Sequence, residues 1–162
     1  MMRFSRLADF AVVLMTHVAQ GHGKVLSAAE IAAATRLPAP TVAKVLARLC
    51  RAGLLGSVRG VKGGYMLQRP AAAISVGTIV SAVDGPVALM QCIKPGSARC
   101  EVEPVCPSRV GLQAVNVAVQ KALEDVSLAD IAMPVPAIRA PAQPLSSGFP
   151  SATKADQHRG SP

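Results

Sequence analysis

The sequence predicts a mainly α-helical fold with a small β-hairpin: a winged helix-turn-helix domain followed by a long dimerisation helix. Three observations predict it. Apolar residues recur at helical spacing in five segments. Two of these segments are short, joined by a tight turn, and the second is basic. Directly after them, two strand-like runs flank a basic, glycine-rich tip.

Phe4–Ala19 reads as the first helix, with Leu7, Phe10, Ala11, Leu14 and Val18 on one face and Gly21 and Gly23 ending it. Ser27-x-x-Glu30 is a capping box opening a second helix over about Ala28–Ala34. Thr35-Arg36-Leu37-Pro38 forms the turn. Pro40, in the first turn of a third helix, starts a segment running to about Arg51 that Gly53 closes. Val42, Val45, Leu46 and Leu49 form its apolar stripe, while Thr41, Lys44, Arg48 and Arg51 lie on other faces. One side is thus set to be buried and the other to meet an anion. Leu54–Val58 and Tyr65–Leu67 read as the strands of a wing whose tip is Arg59-Gly60-Val61-Lys62-Gly63-Gly64.

Beyond the wing, Pro70–Ile74 links to a fourth helix, about Val76–Val83, capped by Ser75 and stopped by Asp84-Gly85-Pro86. Residues 91–107 are irregular. A long helix over 108–126 carries apolar residues on more than one side, which predicts burial on two sides, the second against another subunit. Ser127 caps one last short turn. The final 30 residues hold six prolines and no apolar periodicity, the composition of a disordered tail. The expected organisation is therefore a DNA-binding domain over 1–70, then a linker helix, loop (91–107) and dimerisation helix over 71–132, and the tail over 133–162.

Hydrophobic residues make up 51% of the 162 residues but aromatics only 2%, so the core must come from Ala, Val, Leu and Ile. The net charge of +8 lies wholly in residues 1–70, where ten Lys/Arg face two acids, Asp9 and Glu30; residues 71–162 carry seven of each sign. A clustered basic surplus is the footprint of a polyanion, here double-stranded DNA. An anionic membrane fits less well, because the cations are spread over several short elements instead of one amphipathic helix. No apolar run reaches membrane-spanning length, and MMRFSRLADF lacks a signal peptide's apolar stretch and cleavage site. A cytoplasmic location follows, and in that compartment spaced cysteines point to metal or redox chemistry. No phosphate-binding loop, catalytic triad or paired-carboxylate motif speaks for an enzyme, and an electron carrier would not need the basic N-terminal half.

Cys92-x7-Cys100-x5-Cys106 places three thiols within fifteen residues of a proline- and glycine-containing loop. Thiolates suit iron–sulfur clusters or Zn²⁺. The spacing is wider than the C-x2-C knuckle of zinc sites and suits a larger object; redox-active thiols without a metal stay open as the other reading. Cys50 reads as a small buried residue. His17, His22 and His158 are not placed to ligate, and Glu101 and Glu103 read as solvent-facing charges. Of the polar and basic positions, Thr41 and Lys44 lie at the end of the third helix that enters a major groove. Arg48 and Arg51 are set to meet phosphate or an internal acid, and Arg59 and Lys62 phosphate or the minor groove.

The order helix, helix-turn-helix, glycine-rich wing, helix, three-cysteine loop, long helix resembles the Rrf-type winged helix-turn-helix transcription regulators, a family with iron–sulfur (IscR-like) and nitric-oxide-sensing (NsrR-like) members. The phrases RLADFAVVLM, LSAAEIAAAT, PTVAKVLARLCRAGLL, RGVKGGYML, ISVGTIVSAVDGPVAL and VSLADIA are most similar to the branch regulating SUF-type cluster assembly. The similarity covers about residues 2–132, and the wing RGxxGGY together with the three-cysteine loop is its most specific part; the tail has no counterpart. The resemblance implies a homodimer with one [2Fe-2S] or [4Fe-4S] cluster per subunit on Cys92, Cys100 and Cys106, although the x7 gap is longer than the x5 of several members. It further implies repression of iron–sulfur assembly genes in response to cluster, iron or oxidative status. A structural zinc, a thiol switch or nitric-oxide sensing stays open as an alternative. One branch takes its fourth ligand from a His shortly after the third cysteine; Arg109 stands there in this chain. Another uses an Asp of the partner's first helix, a position Asp9 matches; the alternative for Asp9 is a local cap or a pairing with Arg6.

Overall fold

The computed structural model describes residues 5–90, 93 and 106–133. The chain runs α1 (Arg6–Gln20), α2 (Ala28–Thr35), α3 (Ala39–Arg51), β1 (Leu55–Val58), β2 (Gly64–Leu67), a 3-10 turn (Ala71–Ala73), α4 (Val76–Asp84), α5 (Arg109–Glu124) and α6 (Leu128–Ala132). The strands form an antiparallel two-stranded hairpin with Leu55 opposite Leu67 and Val58 opposite Gly64. The expected mainly helical fold with a winged helix-turn-helix is the one observed.

Local chemistry sets the helix starts. Ser5 accepts from Ala8 N–H through Oγ (3.1 Å), so α1 begins at Arg6 and not at Phe4, and it continues one residue past Ala19. The Ser27/Glu30 box is formed in both directions, at 2.7 and 3.2 Å. A second, shorter box joins Ser127 and Asp130 at the start of α6. Both carboxyls sit below their ordinary values of 4.5 (Glu30) and 3.8 (Asp130), chiefly through the serine hydroxyl and then the serine backbone N–H. A carboxyl whose folded value is lowered adds stability in full above its unfolded value, and that stability is lost as pH falls through the folded one. Thermal unfolding followed from pH 6 downward should therefore show a midpoint that drops below about pH 4.5. The drop should be shallower in a Glu30→Gln/Asp130→Asn variant.

The core joins α1 (Ala11, Leu14, Met15, Val18), α2 (Ile31), α3 (Val42, Val45, Leu46, Leu49), the hairpin base (Leu54, Leu55), Ile74, α4 (Ile79, Val83) and α6 (Leu128). Each buried Val, Leu, Ile or Met side chain among these contributes about 1.5–3 kcal/mol by leaving water. This core is continuous across residue 70. α6 is brought back onto the N-terminal helices by Leu128 N–H donating to Ile74 C=O (2.7 Å) and Val76 N–H to Val126 C=O (2.9 Å).

The long helix differs from expectation in its bounds. It spans Arg109–Glu124 and not 108–126, because Val126 has left the helix to pair with Val76. Among the described residues it packs on α4, and Asn116 is its one buried residue. Val110, Val115 and Val117 are exposed, Val110 at 81%. The second apolar side read from the sequence, expected to meet another subunit, is exposed among the described residues.

Candidate nucleic-acid interface and cysteine loop

α3 is the better amphipath of the helix pair. Val42, Val45, Leu46 and Leu49 stand at i, i+3, i+4 and i+7 and are fully buried. Pro40 lies in its first turn, where no backbone N–H is needed. The turn before it is made by Arg36, which takes the left-handed conformation (φ 55°) at the end of α2. With the apolar stripe seated on α1 and α2, Thr41, Lys44 and Arg51 remain on the outer side; Thr41 is half-buried, Lys44 and Arg51 exposed.

The wing is not a free arm. Leu26, immediately ahead of the α2 cap, pairs with Tyr65: Leu26 N–H donates to Tyr65 C=O (3.0 Å) and Tyr65 N–H to Leu26 C=O (2.8 Å). The hairpin is thereby fastened to the segment that leads into the first helix of the helix-turn-helix. This contact explains the second of the consecutive glycines of RGVKGGY, and the tight hairpin tip explains the first. A β-carbon on Gly64 would collide with the Leu26 carbonyl, and one on Gly63 with the Val58 carbonyl. The tip residues Arg59 to Lys62 are all exposed, Val61 completely. Exposed cations of this region are Lys24, Arg36, Lys44, Arg51, Arg59, Lys62 and Arg69. Lys24 and Arg36 were not singled out from sequence; the tight turn at Thr35-Arg36-Leu37-Pro38 was the available signal for Arg36.

Arg48 stands apart from this set. It is half-buried, and its Nη1 donates to the Val83 carbonyl at the C-terminal end of α4 (2.6 Å). Among the described residues its partner is this carbonyl and not an internal acid.

Of the cysteine set, Cys106 is described; Cys92 and Cys100, like Glu101 and Glu103 between them, lie outside the described residues. Cys106 is a free thiol, half-exposed, whose carbonyl accepts from Arg109 N–H (3.4 Å) at the head of α5. Among the described residues no group of three His, Cys, Asp or Glu converges as a metal site. Both roots of the loop are fixed to α5. Residues 87–89, at the near end, are held by Asn116 and Gln120. Asn116 Oδ1 accepts from Leu89 N–H (2.9 Å), Asn116 Nδ2 donates to Val87 C=O (3.4 Å), and Gln120 Nε2 donates to the same carbonyl (2.8 Å). Asn116 is 2% exposed, and these bonds satisfy it. Asp9 is exposed on the first turn of α1, and Arg6, its considered local partner, lies over the Phe10 ring at 5.9 Å. Cys50 is half-buried at the end of α3; burial pushes its thiol up, as befits a packing residue.

A tight-turned helix pair with a basic second helix, locked to a basic hairpin, defines a winged helix-turn-helix DNA-binding protein. The chain belongs to the Rrf2 family, described as iron-dependent transcriptional regulators, whose sequence model matches residues 4–134. It is 32% identical over 132 residues to a Mycobacterium tuberculosis protein named as an HTH-type transcriptional regulator, covering 81% of each chain. Among solved structures it is similar to CymR, the global cysteine regulator of B. subtilis (TM-score 0.64, 28% identity, 82% of this chain and 97% of that one). It is also similar to IscR of T. potens (TM-score 0.62, 29% identity, 80% and 85%). The chain is thus a DNA-binding transcription regulator, of a family of regulators and not of enzymes. Among the described residues no helix is long and apolar enough to cross a membrane.

Proposed function

We propose that the chain is a homodimeric cytoplasmic regulator that binds duplex operator DNA under the control of an iron–sulfur cluster, [2Fe-2S] or [4Fe-4S], on Cys92, Cys100 and Cys106. The observation that carries the cluster reading is the common anchorage of both loop roots on α5. Asn116 lies seven residues beyond Arg109, about 10 Å along the helix axis. Cys92, Cys100 and Cys106 fall within fifteen residues of a loop whose two ends are held that close together. That suits a shared inorganic group and gives the donor set a soft, anionic character.

In this reading Thr41 and Lys44 meet base edges in the major groove, and Arg51, Arg59 and Lys62 meet phosphate or the minor groove. The uncovered apolar side of α5, with Val110, Val115 and Val117, packs on the second subunit. The partner's Asp9 completes the ligand set. A bound cluster supplies an oxidant-, nitric-oxide- or iron-sensitive link between the loop and the partner's α1. α1 packs on α3, so α1 carries a displacement to the recognition helix and alters its distance from that of the other subunit. Repression of SUF-type iron–sulfur assembly genes is the response this arrangement suits.

Anaerobic purification with iron and sulfide counts tests the reading. The expected protein is brown, contains both elements, and loses its visible absorption in Cys106→Ala. A colourless protein with zinc, or one whose thiols only oxidise, would replace the cluster by a structural metal or a thiol switch.

A further inference from the structure

We propose that Arg48 is a positioning residue that couples the cysteine loop to the recognition helix, and not a DNA contact. The inference rests on the cluster reading above. The last carbonyls of a helix have no partner inside it. In α4 the carbonyl of Val83 is taken by the Arg48 guanidinium of α3 at 2.6 Å, a charged donor on the negative end of the helix. The next residue, Asp84, is held from a second side: its carboxylate accepts from Ser5 Oγ (2.6 Å) and Ser5 N–H (3.3 Å) at the cap of α1. Three residues further on, the Val87 carbonyl is gripped by Asn116 and Gln120 of α5, and Leu89 N–H by Asn116.

Residues 83–89 therefore form a strap with three fastenings: α3 and α1 at one end, the helix carrying the loop roots at the other. Four peptide steps separate Val83 from Val87, at most about 14 Å of chain, so the strap has little slack. A shift of the loop root against α5 pulls on Val83, and Arg48 passes it to α3 in the same helix turn as Leu49 of the core. Arg48 is the one basic side chain of α3 that is half-buried and engaged on the protein, where Lys44 and Arg51 are exposed.

The test compares wild type, Arg48→Met and Arg48→Lys, each as loaded and as apo protein, binding one duplex recovered by wild type from a random-sequence pool. Visible absorption reports loading independently of binding. The ratio of the two affinities should fall about 2- to 30-fold in Arg48→Met relative to wild type, with the absorption spectrum retained. Arg48→Lys, which can still donate to the Val83 carbonyl, should keep most of the ratio. Equal losses of affinity in both states with the ratio unchanged would overturn the proposal and make Arg48 a DNA contact or a plain stabiliser. A wild-type ratio of one, or wild type without a cluster, would overturn the underlying reading and the proposal with it. If Arg48→Met fails to fold, Arg48→Lys decides alone: a ratio as low as one overturns the proposal, because its bond to Val83 remains available.

Discussion

Leu46→Ala is expected to destabilise the protein by about 2–5 kcal/mol, a large share of the roughly 5–15 kcal/mol that holds a domain of this kind together. Leu46 is fully buried in the middle of α3, between Val42 and Leu49 on the stripe that meets α1 and α2. Aromatics are only 2% of the chain, so no large ring stands ready to fill the space a truncated leucine leaves. The cost is therefore the lost transfer free energy plus that of a cavity. Because the same residue seats the recognition helix, DNA affinity should fall as well. Urea unfolding monitored by circular dichroism measures the first effect; Ala47→Ser on the exposed side of the same helix should shift stability by less than about 0.5 kcal/mol. A loss under about 1 kcal/mol for Leu46→Ala would show that α3 is not held by this stripe.

The second large effect is on binding. In Arg59→Gln/Lys62→Gln the wing keeps its shape, since both side chains are exposed at the tip and the hairpin is fastened lower down through Leu26 and Tyr65. On the proposed reading this removes two phosphate contacts per subunit. The slope of log affinity against log salt should flatten by about 0.9 for each contact removed. Affinity at low salt should drop for every duplex sequence alike, because phosphate contacts carry no sequence information. Thermal stability should stay unchanged. A salt slope equal to that of wild type would place the wing away from the backbone.

Much of this organisation is legible in the chain because it is encoded locally. A capping box, a proline in a first helical turn, a 3–4 apolar stripe and paired glycines at a basic tip each act within a few residues, and each was realised. The contacts that escaped are those between distant segments. Ser5 to Asp84, Arg48 to Val83, Leu26 to Tyr65 and Asn116 to Val87 join residues 29 to 79 positions apart, and no periodicity announces them. Arg48 shows the consequence. From its spacing it belongs with Lys44 and Arg51; only the arrival of α4 gives it a carbonyl to hold. The end of α5 was misjudged for the same reason, since Val126 looks like a further helical valine until Val76 pairs with it. Asn116 gave a signal that was passed over: a lone amide among the valines and alanines of a helix is a candidate for a buried backbone clamp.

The central claim is that the state of the cysteine loop sets affinity for DNA. Its most direct test is an anaerobic titration of one duplex with a single preparation divided into cluster-loaded and apo halves, at fixed salt. Affinities differing by about 5- to 150-fold are predicted, the range of coupling between two sites joined by a bistable element. Equal affinities of loaded and apo protein for the same duplex would contradict it.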